Sequence, residues 1–177
     1  MKGVWGKYAL VDLTEHKVSE YGIPEVWYVR HLGGRGIGTR ILIEEVVRKG
    51  ISIDPLGEEN ILVFGTGPMQ GTGAPGSSKY VIMGWSPKSR TINESYTGGF
   101  FGHELARTGF DGVIIRGISA EPVLVVVKEE GVAILPAAGL WGKETALCDK
   151  VLRERYGESA RVACIGPAGE RGVRFAC

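Results

Sequence analysis

A chain of 177 residues with 21 basic and 20 acidic side chains carries a formal net charge of +1, and no run of like charge stands out. That balance excludes a basic nucleic-acid surface and a charged disordered tail, and charged residues break every apolar run well short of the ~18 residues a membrane span needs. Glycine is the outlier: 28 of 177 residues, about 16% against a usual ~7%, gathered at the ends of apolar runs.

In chain order, VWGKYALVDL reads as a strand, and KVSEYGI, after the turn-like TEH, as its hairpin partner. Pro24 suits the first turn of a helix, and in PEVWYVRHL the residues Val26, Tyr28, Val29 and Leu32 can share one face. GGRGIGTRILIEEVVRKG follows as a second helix, with Ile37, Ile41, Leu42 and Val46 near helical spacing and Gly50 as its stop. ENILVFG, KYVIMGW and RTINESY are strands. GGFFGHELARTG is a short helix capped by Gly109. GVIIRG, PVLVVVKEE and GVAILP are three more strands, and KETALCDKVLRERYG is a helix with Ala146, Leu147, Val151 and Leu152 on one side. ARVACIG and GVRFAC read as two final strands around GPAGER.

Strands, a helix entered through Gly-Gly, and more strands occur in that order around GGRGIGTRIL and again around GGFFGHELA. Short hairpin turns join most strands, so the pattern is α+β, a duplicated strands–helix–strands motif with antiparallel or mixed sheets. The chain ends inside an expected strand, which points to a piece that something normally follows.

The stretch 65–80, GTGPMQGTGAPGSSKY, holds little but backbone between two apolar runs, and Lys79 is its only charge. GTGAPG at 71–76 has the GxGxxG spacing of a dinucleotide fingerprint, but that fingerprint must open a helix, whereas here a strand follows. A plain loop is one reading; bare amides lining a flat anionic or heteroaromatic ligand is the other. The Gly-Gly entrances at Gly33–Gly36 and Gly98–Gly99 allow two readings as well: anion binding at a helix start, or close helix packing. Lys79 and Arg35 could be solvated or could meet a phosphate. His16, His31 and His103 are scattered and read as structural or surface residues, and Trp5, Trp27, Trp85 and Trp141 as packing. Cys148, Cys164 and Cys177 form no CxxC pair, so no self-contained zinc or iron–sulfur site is expected. An odd cysteine count without an apolar leader in MKGVWGKYALVDL fits the reducing cytoplasm.

Taken together, WGKYALVDLT, HLGGRGIG, DPLGEENILVFGTGPMQGTGAPGSSKY, SPKSRTINESYTGGFFGHELARTGFDGVIIRG, LWGKE and CIGPAGERGVRF resemble the N-terminal domain of the tungsten-containing aldehyde ferredoxin oxidoreductase family. The resemblance runs along essentially all of 1–177. It implies a duplicated α+β base on which a bis-pyranopterin tungsten (or molybdenum) cofactor lies. On this chain the cofactor-binding residues it implies are Gly73, Gly76, Lys79, Tyr96, Gly98 and Gly99. Lys79 stands where the family usually has Arg, keeping the charge without the planar fork. Tyr96 stands where an Asn often helps bind magnesium on the pterin phosphates.

The family's cluster cysteines lie beyond residue 177. The resemblance therefore implies a cradle domain inactive alone, completed by C-terminal domains or a large subunit carrying a [4Fe–4S] cluster, with ferredoxin as electron acceptor. The readings that remain open are a non-catalytic scaffold or small subunit of a split enzyme, and the base domain of an aryl-CoA reductase-like relative. An uncovered cradle face would also favour a homodimer.

Overall fold

The computed structural model describes residues 3–50 and 53–176. Its frame is one six-stranded sheet built from β1 (Lys7–Asp12), β2 (Lys17–Gly22), β3 (Leu62–Gly65), β4 (Tyr80–Trp85), β5 (Ile92–Thr97) and β6 (Gly112–Arg116), in the order β2-β1-β6-β3-β4-β5. A separate antiparallel hairpin pairs β7 (Val123–Lys128) with β8 (Gly131–Pro136). β1 and β6 run parallel and the other sheet neighbours antiparallel, so the sheet is mixed, as expected.

The duplication is visible in the strand order. Exchanging β1, β2 and β3 for β4, β5 and β6 gives the same order read backwards. Direction breaks the symmetry: β1 meets β6 in parallel, whereas the corresponding pair β4 and β3 is antiparallel.

Alternation along each strand divides the core. Tyr8, Val63, Val81, Met83 and Ile114 face one side, where α1 (Glu25–His31), α2 (Gly34–Leu42) and a π-helical turn (Ile43–Val47) bury Tyr28, Ile37, Ile41, Leu42 and Val46 against them. Ala9, Val11 and Val113 face the other side, covered by α3 (Phe101–Arg107) through Leu105 and by the β7–β8 hairpin through Ile134. A third cluster joins Cys148 of α4 (Thr145–Tyr156) to Ala137 and Leu140. Gly109 sits at φ +89° one residue after the Thr108 cap, the left-handed helix stop that the sequence shows.

Four expectations change. Residues 161–166 form no strand, Pro167–Glu170 is a short helix α5, and 171–176 are turns. The alternation in ARVACIG is real, but a strand exists only through a partner and none is bonded there. Cys177, the end of the second expected strand, lies outside the described residues. Of the four residues expected to share a face of α1 only Tyr28 is buried, and Val26, Val29 and Leu32 are exposed, because the Tyr28 hydroxyl is drawn to a buried carboxylate. On α4 Leu147 is exposed, while Val151 and Leu152 of the expected face pack against the Cys148 cluster. Trp5 and Trp141 are more than half exposed and are not core residues.

Asp12 ties the parallel pair together, accepting from Arg116 Nε at 2.7 Å. Its carboxyl is held below the usual range, first by the Glu15 amide and then by Arg116 against the opposing effect of burial. The folded state therefore binds this proton more weakly than the unfolded chain, so the stability it contributes is lost as pH falls through the carboxylate range. Asp12→Asn is expected to lower the melting temperature at pH 7 and to change it little at pH 2, as thermal unfolding at the two pH values will read.

Candidate functional site

Three glycine-rich segments meet at one end of the sheet. Tyr80 pairs with Thr97, so Lys79 and Gly98 continue side by side beyond the last rung of the ladder. Gly65 pairs with Val81 and with Gly112, which sends the loop 66–79 out from the same end. The entry to α2 reaches it too, for the Gly34 amide donates to Thr66 O at 2.8 Å. The sequence offered no register, and the register is what sets Lys79, the last residue of the 66–79 loop, beside Gly98.

The loop is built from turns closed by short side chains. Gly67 N donates to Gln70 Oε1 at 2.7 Å, Thr72 Oγ1 to Met69 O at 2.6 Å and Ser77 Oγ to Ala74 O at 2.7 Å. Gly73 and Gly76 lie at φ +80° and +76°, where a side chain would be strained, and both are exposed with open space around the Cα. Gly99 is similar at φ +86°. Gly98 differs: its φ is not in the left-handed region, and a Cβ built there meets nothing within 4 Å. Neither conformation nor packing within the chain asks for glycine at 98.

The other Gly-Gly entrance resolves to packing. A Cβ on Gly33 would stand 2.9 Å from Pro68 Cδ and 3.3 Å from Thr66 O. The start of the 66–79 loop fills the place an anion would need.

Lys79 is exposed and has no ion pair among the described residues. Arg35 is engaged: its Nη1 is 3.1 Å from Glu94 Oε1. Tyr96 is half exposed on the same side of β5, its hydroxyl 3.5 Å from Glu94 Oε2. Glu94, not a ligand group, is therefore the nearest polar partner of both.

The sequence reading missed the residue that holds this end together. Asp111 is 6% exposed. Its carboxylate accepts from Trp5 N at 2.9 Å, Gly6 N at 2.8 Å and the Tyr28 hydroxyl at 2.5 Å. Its carbonyl accepts from both Thr66 N and Thr66 Oγ1, and its amide donates to Lys7 O. One residue thus fixes the N-terminal lead-in, α1 and the exit of β3. Burial and then Asp111 push the Tyr28 hydroxyl far above the ordinary tyrosine range, so it is a permanent donor. The one available signal was an acid set between Phe110 and the apolar run GVII.

At this end Tyr80 stacks on Phe64 and packs tilted against Phe101, ring centroids 6.4 and 4.8 Å away. A shallow hollow of about 400 Å³ lies alongside, lined by Trp5, Gln70, Thr72, Ala106 and Arg107. Among the described residues no three His, Cys, Asp or Glu side chains are placed to hold a metal; this end presents exposed backbone and the Lys79 ammonium.

Residues 8–177 match the family described as aldehyde ferredoxin oxidoreductase, N-terminal domain. The chain belongs to that family. It is 40% identical over 177 residues to a tungsten-containing aldehyde ferredoxin oxidoreductase of Pyrococcus abyssi, covering 99% of this chain and 29% of that protein. It is 37% identical over 184 residues to an aliphatic sulfonate oxidoreductase, WOR-like subunit, of Pyrococcus furiosus, covering 97% of this chain and 29% of that one. Among solved structures, the active site complex BamBC of benzoyl coenzyme A reductase with 1,5 dienoyl-CoA superposes with a TM-score of 0.89 at 30% identity, over 96% of this chain and 26% of that chain. This member of the aldehyde ferredoxin oxidoreductase N-terminal family spans less than a third of the length of the curated relatives it matches. No described helix is long and apolar enough to cross a membrane.

Proposed function

We propose that this domain is one wall of a tungstopterin (or molybdopterin) cradle in an oxidoreductase that converts aldehydes to carboxylates. The observation that carries the reading is Gly98: a bare, exposed position beside an unpaired Lys79, with no reason inside the chain to be glycine. Flat heterocycles pack closely on such backbone, and a lysine ammonium is a point-charge partner for phosphate. The relatives' names supply tungsten and the aldehyde substrate class.

In this account Gly73, Gly76, Gly98 and Gly99 present main chain to the pterin, Lys79 meets a phosphate, and Tyr96 borders the site without contributing a carbonyl-bearing side chain for magnesium. The cofactor, when bound, supplies two-electron redox chemistry. This chain's residues position it and exclude water from one side. The [4Fe–4S] cluster and the contact with ferredoxin belong to residues outside these 177, on C-terminal domains or a separate large subunit. The 177-residue chain is expected to show no turnover by itself; tungsten-dependent aldehyde oxidation by the purified chain would contradict that.

The structural likeness to BamBC favours a second reading, the base domain of an aryl-CoA reductase-like enzyme. Purification from the native cells separates the readings. A stoichiometric partner with tungsten and aldehyde-dependent viologen reduction supports the first. Activity with aryl-CoA alone supports the second, and a metal-free chain with no partner supports a scaffold.

Lys79→Ala is expected to lower cofactor retention in that assembly about ten- to a hundredfold, as loss of a charge-assisted hydrogen bond of ~1.5–3 kcal/mol would. Lys79→Arg should retain most of it. Metal and pterin content of the purified variants reads this, and unchanged content in Lys79→Ala would remove Lys79 from the site.

A further inference from the structure

Glu94, Tyr96 and Gly98 lie in one row. Tyr96 pairs with Val81, and Val81 and Ile92 both belong to the core under α2, so the even-numbered residues of β5 face the α2 side. Gly98 is the next place in that row, with Lys79 beside it. At ~3.4 Å per residue the row runs about 14 Å from Glu94 to Gly98. It presents, in order, a carboxylate, an exposed aromatic ring, and a bare glycine next to an ammonium.

The fold gives Glu94 little reason to be acidic. Its Oε1 accepts from Arg35 Nη1 at 3.1 Å, and its Oε2 lies 3.5 Å from the Tyr96 hydroxyl. Both residues are exposed, and an ion pair in that setting adds little stability. A negative charge so near a phosphate site repels the ligand unless it makes a contact of its own. An ionised carboxylate has about four acceptor places, and among the described residues only Arg35 and Tyr96 approach them. A 2-amino-4-oxopyrimidine edge offers two adjacent N–H donors, N3–H and the 2-amino group. They form the same two-pronged fork that a guanidinium offers to a carboxylate.

We propose that Glu94 is a specificity-determining residue of this site. Its carboxylate takes the paired N–H donors of a 2-amino-4-oxopyrimidine ring, the ring lies against Tyr96, and a phosphate at the far end of the ligand reaches Lys79. Arg35 is a positioning residue that steadies the carboxylate. Gly98 then has its explanation, since a side chain there would stand between ring and ammonium. The inference rests on the cradle reading and names the edge of the ligand that this chain reads.

The isotope-labelled chain titrated with 6-hydroxymethylpterin phosphate, and separately with the matching lumazine phosphate, compares the two edges. Lumazine carries an oxo group where pterin has the 2-amino group. The pterin is expected to bind about ten- to a hundredfold more tightly, with the amides of 94–98 perturbed. Glu94→Gln should erase that preference and leave the melting temperature unchanged, and Lys79→Ala should weaken both ligands alike. Arg35→Ala should shrink the preference, and Arg35→Lys should restore part of it. Equal affinities for the two ligands, or a preference that survives Glu94→Gln, would overturn the role of Glu94 and leave the cradle standing. Binding of neither ligand would contradict the cradle reading and this inference with it.

Discussion

Removing the Asp111 carboxylate is expected to destabilise the chain by about 3–5 kcal/mol. Three donors depend on it: Trp5 N, Gly6 N and the Tyr28 hydroxyl. Each buried donor left without an acceptor costs ~1–3 kcal/mol, and a domain of this size has only ~5–15 kcal/mol in all. Asp111→Ala should therefore shift the urea midpoint far down, and Asp111→Asn, which keeps one oxygen, somewhat less. Tyr28→Phe removes a single donor and should cost ~1–2 kcal/mol. The double variant should cost less than the sum of the two, because both changes break the same bond. Asp111 meets Thr66 through its own main-chain carbonyl and not through its carboxylate. What is released is thus the N-terminal lead-in and α1, and exchange should rise there before it rises in β3. A loss below about 1 kcal/mol for Asp111→Ala would mean that water replaces the carboxylate without penalty.

Two glycine substitutions are expected to behave oppositely. At Gly112 an added Cβ runs into the Phe64 carbonyl oxygen and the Tyr8 ring, well inside contact distance. β6 lies between β1 and β3, so the backbone has little room to yield. Gly112→Ala should cost at least the ~1–3 kcal/mol of core overpacking and fall at or beyond the upper end. Gly98→Ala meets open space at a φ that other residues adopt. There the loss of unfolded-state freedom should leave stability unchanged or raise it by up to ~1 kcal/mol. The same substitution, and Gly98→Leu more strongly, should deplete cofactor from the assembled enzyme. Thermal unfolding and metal content on the same samples separate a glycine kept for the fold from one kept for a ligand. Gly98→Leu with full cofactor content would show that nothing lies on that position.

The order of elements was legible because hydrophobic period and glycine punctuation are local properties. KYALVD alternates, GIGTRIL has a helical stripe, and Gly109 ends α3, all without reference to the rest of the chain. Pairing is not local. ARVACIG has the pattern of a strand and no partner, and TINESY has a partner on one side only. Tyr28 against Val26 and Val29 was undecidable for the same reason: the buried face of α1 is chosen by Asp111, 83 residues away. The two Gly-Gly entrances look alike in sequence and separate only when Pro68 is seen filling one of them. Lys79 and Gly98 were each visible singly, and the Tyr80–Thr97 rung is what sets them side by side.

The proposed cradle requires naked peptide units near Lys79 and Gly98 to receive a planar, phosphate-bearing ring system. Amide spectra of the isotope-labelled chain titrated with a phosphorylated pterin test that directly. Perturbed resonances gathered at 73–79 and 96–99, and weakened by Lys79→Ala, are the result expected. Perturbation confined to the Gly33–Gly36 turn or the hollow beside Trp5, or none at all, would contradict it.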